Sequence, residues 1–394
     1  MRHIFVTQDF GPDRGGMARR HVELARRFSN DSERMEVSTV RIDGDQEFDH
    51  GEHYRIHRQP FHFREANRFT KQVRWARWLT RYATSRIDVM HCGNIRPAGY
   101  AVLWTKMRLG TPYIVYVNGG DLLRERDKAR KSTFKRRASR EILENASGVA
   151  ATSQWVADLT SEVMREVGVT NPPPVAALAL GTDPDNFSAS RDTGALRAKW
   201  GIGDDPVILT VARLVPHKGQ DVIVRALPKL SAEFPNVKYV VVGEGHDETR
   251  LREIAIELGV EDSVVFAGAL SEAELPEAYA TATVYAGPSR IDNEINVEGF
   301  GISFLEASAS GLPVVAGDSG GVRSAVKDGE TGMVLPPRDA DAWSHVLGDL
   351  LRSSARRKTF GDAGRKAVEG YYNWDRVARD TRDFTLSVTR GKIR

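Results

Sequence analysis

The sequence predicts an α/β protein of two doubly wound domains, each a parallel sheet with helices on both faces. Three observations carry that expectation. At 394 residues the chain exceeds what one hydrophobic core usually serves. Short β-rich runs alternate with helix-length segments from end to end. The strand runs are almost continuously apolar, as strands buried on both faces are.

Taken in order, the expected strands of the first half are HIFVTQ, EVSTVRI, DVMHCG, PYIVYVNGG, GVAATS and VAALALG. The first ends near Gln8, and Gly15-Gly16 then open an amphipathic helix. Helical spacing of Phe69, Val73, Ala76 and Leu79, with Trp75, Trp78 and Tyr82 close by, marks a basic helix over 64–86. A second basic helix is expected over 124–140. The second half has VILTVARL, KYVVVGEG, SVVFAGAL, TVYAGPS, PVVAGDSG and GMVLPP, with helical segments such as DETRLREIAIELG between them. The Pro- and Asp-containing GTDPDNFSASRDTG divides the halves into domains at 1–188 and 189–372. A ligand then belongs at the carboxyl ends of the strands, in the cleft between the two domains.

Composition narrows the function. At 41% apolar and 28% charged residues, this is an ordinary soluble globular chain. The lone cysteine, Cys92, cannot form an internal disulfide, which fits a reducing compartment. MRHIFVTQDF is too short and too polar after Val6 for a signal peptide, and no apolar run approaches membrane-spanning length. A cytoplasmic location is expected. The net charge of +3 hides an asymmetry: residues 55–140 carry 21 basic against 5 acidic side chains. That excess suits an anionic partner, such as a membrane surface or a phosphorylated acceptor. With no reading module evident, nucleic acid is not expected.

Three places could carry chemistry. Gly15 and Gly16 let backbone approach a ligand at a helix N-terminus, where free amides favour an anion. Arg213, at the end of a strand, and Lys218, just before a glycine and the next helix, suit a diphosphate: guanidinium binds as a fork, ammonium as a point charge. His217 between them is read as a loop bystander. In NVEGFGISFLEASASGLPVVAG, Glu298 and Glu306 stand eight residues apart. A helix spanning that interval would put both on nearly one side. The surroundings are too apolar for a solvated face, and a buried carboxylate needs a partner; sugar hydroxyls supply one.

These pieces, with the linker LGTDPDNF, resemble family four of the retaining glycosyltransferases over essentially the whole chain. The PSR before the glutamate segment most resembles phosphatidylinositol-mannoside mannosyltransferases. The resemblance implies the GT-B fold of two Rossmann-like domains, acceptor domain first and donor domain second. A terminal helix at 373–390 would cross back onto the first domain. It implies transfer of a hexose from GDP-mannose or a UDP-hexose to a lipid-linked, phosphorylated or saccharide acceptor. Glu298 would hold donor hydroxyls and Glu306 the nucleotide ribose. The amides of Phe300, Gly301 and Ile302 would cap sugar and diphosphate, and Arg213 and Lys218 would neutralise the leaving diphosphate. Gly15 and Gly16 would approach the same diphosphate. No metal and no cofactor beyond the nucleotide-sugar co-substrate are implied, and the basic helices at 64–86 and 124–140 would meet an anionic membrane at its inner face.

One position departs from the family. Its histidine turn reads VNGGDLL here, with Asn118 in the histidine position. Asparagine can donate to a sugar oxygen but carries no charge, and Asn118 and Asp121 are assigned to sugar or acceptor on that basis. Two other classes compete. A nicotinamide-dependent oxidoreductase would need G-x-G-x-x-G, which GEGHDE at 243–248 lacks. A non-catalytic nucleotide-sugar binding protein would not need the cation pair together with both glutamates.

Overall fold

The computed structural model describes residues 1–13, 15–28, 34–61, 68–84 and 86–390. Internal packing groups them into two units: Met1–Ala179 with the described residues from Trp374 onward, and Leu180–Asn373.

The first unit holds β1 (Arg2–Val6), α1 (Gly16–Phe28), β2 (Arg34–Val40), α2 (Asp45–His50), β3 (Arg55–Gln59), α3 (Arg68–Ala83), β4 (Val89–Cys92) and α4 (Ala98–Leu109). It continues with β5 (Tyr113–Val117), α5 (Gly119–Arg130), α6 (Thr133–Glu144), β6 (Gly148–Ala151), α7 (Gln154–Val167) and β7 (Val175–Ala177). All strands are parallel, in the order β3-β2-β1-β4-β5-β6-β7. The strand direction of travel therefore reverses between β1 and β4. Apolar strands explain the sheet: Ile4, Phe5 and Val6 are fully buried, as are Tyr113, Ile114 and Val115. β3 is absent from the sequence reading. RIHRQ has no apolar run, and as an edge strand it needs only one neighbour.

Helix signals are partly corrected. The expected helix 64–86 is α3, with 64–67 and 85 outside the described residues. Trp75, Ala76 and Leu79 are buried, and Trp75 donates to Ser38 Oγ at 2.8 Å. The expected helix 124–140 is two helices. α5 ends at Arg130, and Ser132 caps α6 by accepting the Lys135 amide at 3.4 Å.

The second unit runs α8 (Ala195–Trp200), β8 (Val207–Val211), α9 (Gln220–Glu233), β9 (Lys238–Val242), α10 (Glu248–Glu257), β10 (Val264–Gly268), α11 (Leu275–Thr281) and β11 (Val284–Gly287). Then come α12 (Ile302–Ala309), β12 (Val314–Gly317), β13 (Gly332–Leu335), α13 (Ala340–Arg352) and α14 (Ser354–Gly370). Its sheet is parallel in the order β10-β9-β8-β11-β12-β13, reversing between β8 and β11. Leu227 and Leu230 of α9 and Trp343 and Leu347 of α13 cover one face over Tyr239 and Val241. The stretch 181–194, read as the join, packs within this unit. Phe187 is buried, and Arg365 Nη1 donates to the carbonyls of Pro184 and Phe187, each at 2.8 Å.

α15 (Trp374–Thr389) packs on α1 of the first unit. Asp375 pairs with Arg27 at 2.7 Å, and the Arg382 guanidinium lies 5.1 Å from the centre of the Phe28 ring.

Candidate functional site

In a doubly wound sheet the carboxyl ends of the strands at the reversal leave a crevice for ligand. In the second unit those strands are β8 and β11, and the predicted Arg213 and Lys218 lie in the loop that follows β8. Arg213 follows β8. Its carbonyl accepts from Gln220 Nε2 at 3.1 Å and from the Val215 amide at 3.0 Å, so the loop is folded back on itself. A short 3-10 turn, Pro216–Lys218, leads through Gly219 into α9. Gly219 has φ +75°, and an added Cβ would run into the carbonyl of Pro288, so the position requires glycine.

Lys218 Nζ donates to Glu298 Oε2 at 2.5 Å, and Ser289 Oγ lies 3.4 Å from the same oxygen. The two charged side chains are 17% and 15% exposed. Burial alone would raise the Glu298 pKa, but the Lys218 ammonium, His217 and the Phe300 amide outweigh it and hold the carboxyl below its ordinary value. Glu298 is therefore an anion at neutral pH. Burial, then the charges of Lys218 and Arg213, push His217 down to about 4, against the pull of Glu298 and Asp292. His217 is thus neutral at pH 7. Arg213 is exposed and has no ion-pair partner among the described residues.

The glutamate spacing has a different cause from the helical one expected. α12 begins only at Ile302, so Glu306 lies on the helix and Glu298 on the loop before it. Gly301, at φ +93°, turns the chain into α12; an added Cβ there would meet the Phe304 ring. Phe300 is buried, with its ring centre 6.3 Å from that of Tyr372. Phe300, Gly301 and Ile302 thus supply the backbone at the α12 N-terminus. Glu306 is 4% exposed and accepts from the buried Tyr279 hydroxyl at 2.6 Å.

The predicted residues of the first unit lie at the starts of α1 and α5. Gly15 and Gly16 are exposed where α1 begins, and a Cβ on Gly15 would meet nothing within 4 Å. Asn118 follows β5 and stands at the N-cap of α5, and Asp121 lies in the first turn, paired with Arg124. Sequence reasoning missed Asp9, which follows β1 at the sheet's reversal. Asn94, just past β4, donates to it at 3.0 Å. Burial first, then repulsion from Asp121, pushes the Asp9 carboxyl up to about 6, against the Asn94 hydrogen bond. An acid directly behind a strand in TQDF was the available signal. Ser289, which shares Glu298 with Lys218, was likewise missed inside PSR.

The glycines of GEGHDE have a packing explanation. A Cβ on Gly243 or Gly245 would collide with the carbonyl of Ala212 or Leu214 respectively.

The basic stretch is not uniformly basic once folded. In α5 and just after it, Arg124 pairs with Asp121, Lys128 with Glu125 at 2.9 Å, Arg130 with Glu166 at 2.9 Å and Lys131 with Asp127 at 2.8 Å. Arg74, Arg77 and Arg81 on α3, and Lys135, Arg136 and Arg137 on α6, are exposed without an acidic partner among the described residues. Phe69 and Phe134 stand 74% and 71% exposed on the same two helices. No helix among the described residues is long and apolar enough to cross a membrane.

Two doubly wound units with these strand-end residues define the GT-B glycosyltransferase fold. The Anabaena HepE structure in complex with UDP and glucose superposes with a TM-score of 0.77 at 20% identity, covering 98% of this chain and 99% of that one. Residues 15–173 match the glycosyl transferase 4-like domain and residues 192–367 match the glycosyl transferases group 1 domain. The chain belongs to this glycosyltransferase family, and within it resembles the phosphatidylinositol monomannoside mannosyltransferases. A GDP-mannose-dependent alpha-(1-6)-phosphatidylinositol monomannoside mannosyltransferase of Mycolicibacterium smegmatis is 43% identical over 199 residues, 50% of this chain and 52% of the relative. A D-inositol 3-phosphate glycosyltransferase of Stackebrandtia nassauensis is 34% identical over 244 residues, 59% and 53% of the two chains. The chain thus spans about half the length of the curated relatives it matches.

Proposed function

We propose that this protein transfers a hexose from a nucleotide diphosphate-sugar, GDP-mannose or a UDP-hexose, to a lipid-linked, phosphorylated or saccharide acceptor, keeping the anomeric configuration and using no divalent metal. The observation that carries the reading is the Lys218–Glu298 pair beside the unpartnered Arg213, at the reversal of the second sheet. The names of the relatives, with a GDP-mannose donor and inositol-containing acceptors, support the substrate classes.

The chemistry follows from charge. As the bond from the sugar's anomeric carbon to the diphosphate oxygen breaks, negative charge builds on the leaving group. Lys218, held by Glu298, and the exposed Arg213 before it would stand where that charge grows, which is the most effective place for a cation. Lys218 is already held by Glu298, so little reorganisation is needed when donor arrives. Glu298, an anion, accepts from the sugar's hydroxyls, the 3-OH by family resemblance. Glu306, fixed by Tyr279, accepts from the ribose. The amides of Phe300, Gly301 and Ile302 face an anion at the start of α12, and Gly15 and Gly16 offer amides without side-chain cover. The departing phosphate takes the acceptor's proton on the same face of the sugar, so no protein base is required. Asn118 and Asp121 are assigned to sugar or acceptor contacts. On the acceptor side, α3 and α6 are read as a peripheral contact with an anionic bilayer on its cytoplasmic face.

The test is a melting screen with GDP-mannose, UDP-glucose and ADP-glucose, followed by release of nucleoside diphosphate from the sugar nucleotide that stabilises the fold. Arg213→Ala and Lys218→Ala should each lower turnover by about two orders of magnitude, with the fold retained. Wild-type turnover in both variants would remove the diphosphate assignment.

A further inference from the structure

We propose that the buried Arg290–Asp221 ion pair is the positioning device that holds Lys218 opposite Glu298; this rests on the transfer reading above. Arg290 ends the PSR that follows β11, and Asp221 lies in the first turn of α9. Arg290 Nη1 stands 2.9 Å from Asp221 Oδ1 and 3.1 Å from Oδ2, with the side chains 8% and 13% exposed. The Arg290 backbone amide also donates to the His217 carbonyl at 2.8 Å. One residue therefore grips both sides of Lys218: the turn before it through the main chain, the helix after it through the guanidinium.

The surroundings make that grip tight. Gly219 sits against the Pro288 carbonyl, so the PSR segment and the start of α9 touch backbone to backbone. Gln220, fully buried, ties the start of α9 to the Arg213 carbonyl at 3.1 Å. Arg250, itself on Asp247 at 2.7 and 2.6 Å, stands 3.6 Å from Asp221 on its other side. Ser289, next to Arg290, reaches Glu298. The pair thus links the segment that carries the ammonium to the segment beside its carboxylate partner.

Energetics favour placement over stability as the reason for the pair. Taking two charges out of water costs free energy that their attraction often fails to exceed, and apolar replacements of buried pairs are frequently neutral or stabilising. Arg290 Nε, moreover, is buried without a hydrogen-bond partner. A residue that gives up that bond while its amide and Nη1 fix the Lys218 turn is held for geometry. A displacement of about 1 Å at a transferring site can cost on the order of a hundred-fold in rate.

The experiment measures GDP release from GDP-mannose, which needs no acceptor, in Arg290→Met, Arg290→Lys and Asp221→Asn, alone and combined with Lys218→Ala. Arg290→Met and Asp221→Asn should each lower kcat by about a hundred-fold while melting remains cooperative. Arg290→Lys, which keeps the charge but not the fork, should recover part of that loss. In the Lys218→Ala background the same changes should alter kcat by less than about threefold, because the group they position is gone. Losses that multiply independently in the double variants, or single variants of wild-type kcat, overturn the proposal. Should Arg290→Met fail to fold, Asp221→Asn, nearly identical in shape, carries the same comparison. A wild type that releases no nucleotide from any sugar nucleotide would instead overturn the transfer reading, and this inference with it.

Discussion

Asp9 shows how one half-buried carboxyl sets a pH response. Its folded pKa of about 6 lies above the ordinary 3.8, so the folded state binds this proton more tightly than the unfolded chain does. Its contribution is most favourable below the ordinary value, declines as pH rises towards 6, and is constant above that. Asp9→Asn removes the titration. The variant's melting temperature should match wild type below about pH 4 and exceed it by a margin that grows up to about pH 7. A margin independent of pH would show that Asp9 does not titrate in this window. At this scale the sequence offered candidates where a charge sits beside a glycine or just past a strand, as with Arg213, Lys218 and Glu298, yet it passed over Asp9 behind β1. It was silent where two residues meet only through the fold. Arg290 and Asp221 are 69 positions apart, and nothing in either segment alone announces the pair.

Among elements, apolar strands were readable and polar breaks were not. Each of the twelve expected strand segments contains a strand, because continuous burial writes itself as Val, Ile, Leu and Ala. The edge strand β3 escaped, since Arg55, His57 and Arg58 give no apolar run. Ser132 split a helix that composition made look continuous, as a cap competes locally with helix propagation. That split matters for the surface. Arg124, Lys128, Arg130 and Lys131 are paired with neighbouring acids, so the proposed attraction to an anionic bilayer would fall to α3 and α6. Each exposed cation near such a surface contributes roughly 1 kcal/mol, screened within a Debye length. Vesicles of anionic lipid should sediment the protein at low salt and lose it at high salt. Arg74, Arg77 and Arg81 changed to glutamate should weaken that binding strongly, whereas Arg130→Glu should change it little. Equal losses from both sets would assign the effect to net charge rather than to α3.

For the molecule as a whole, two sheets with the same reversal place charged and polar side chains at the strand ends beside each switch point: Asp9 and Asn94 in one, Arg213 and Ser289 in the other. The alternation of strands and helices made this architecture legible, because it follows from periodicity. The donor base, the sugar and the acceptor were not legible, because they depend on side-chain placement within loops that no periodicity governs. The central claim is that fixed cations, not a metal or a protein base, carry a same-face transfer of the sugar. It is tested most directly by following anomeric carbon-13 in labelled GDP-mannose by NMR, with wild-type protein, an inositol-phosphate-containing acceptor and excess EDTA. The account predicts cleavage at an undiminished rate and a product that keeps the donor's α configuration. An inverted product, or a reaction abolished by the chelator, would contradict it.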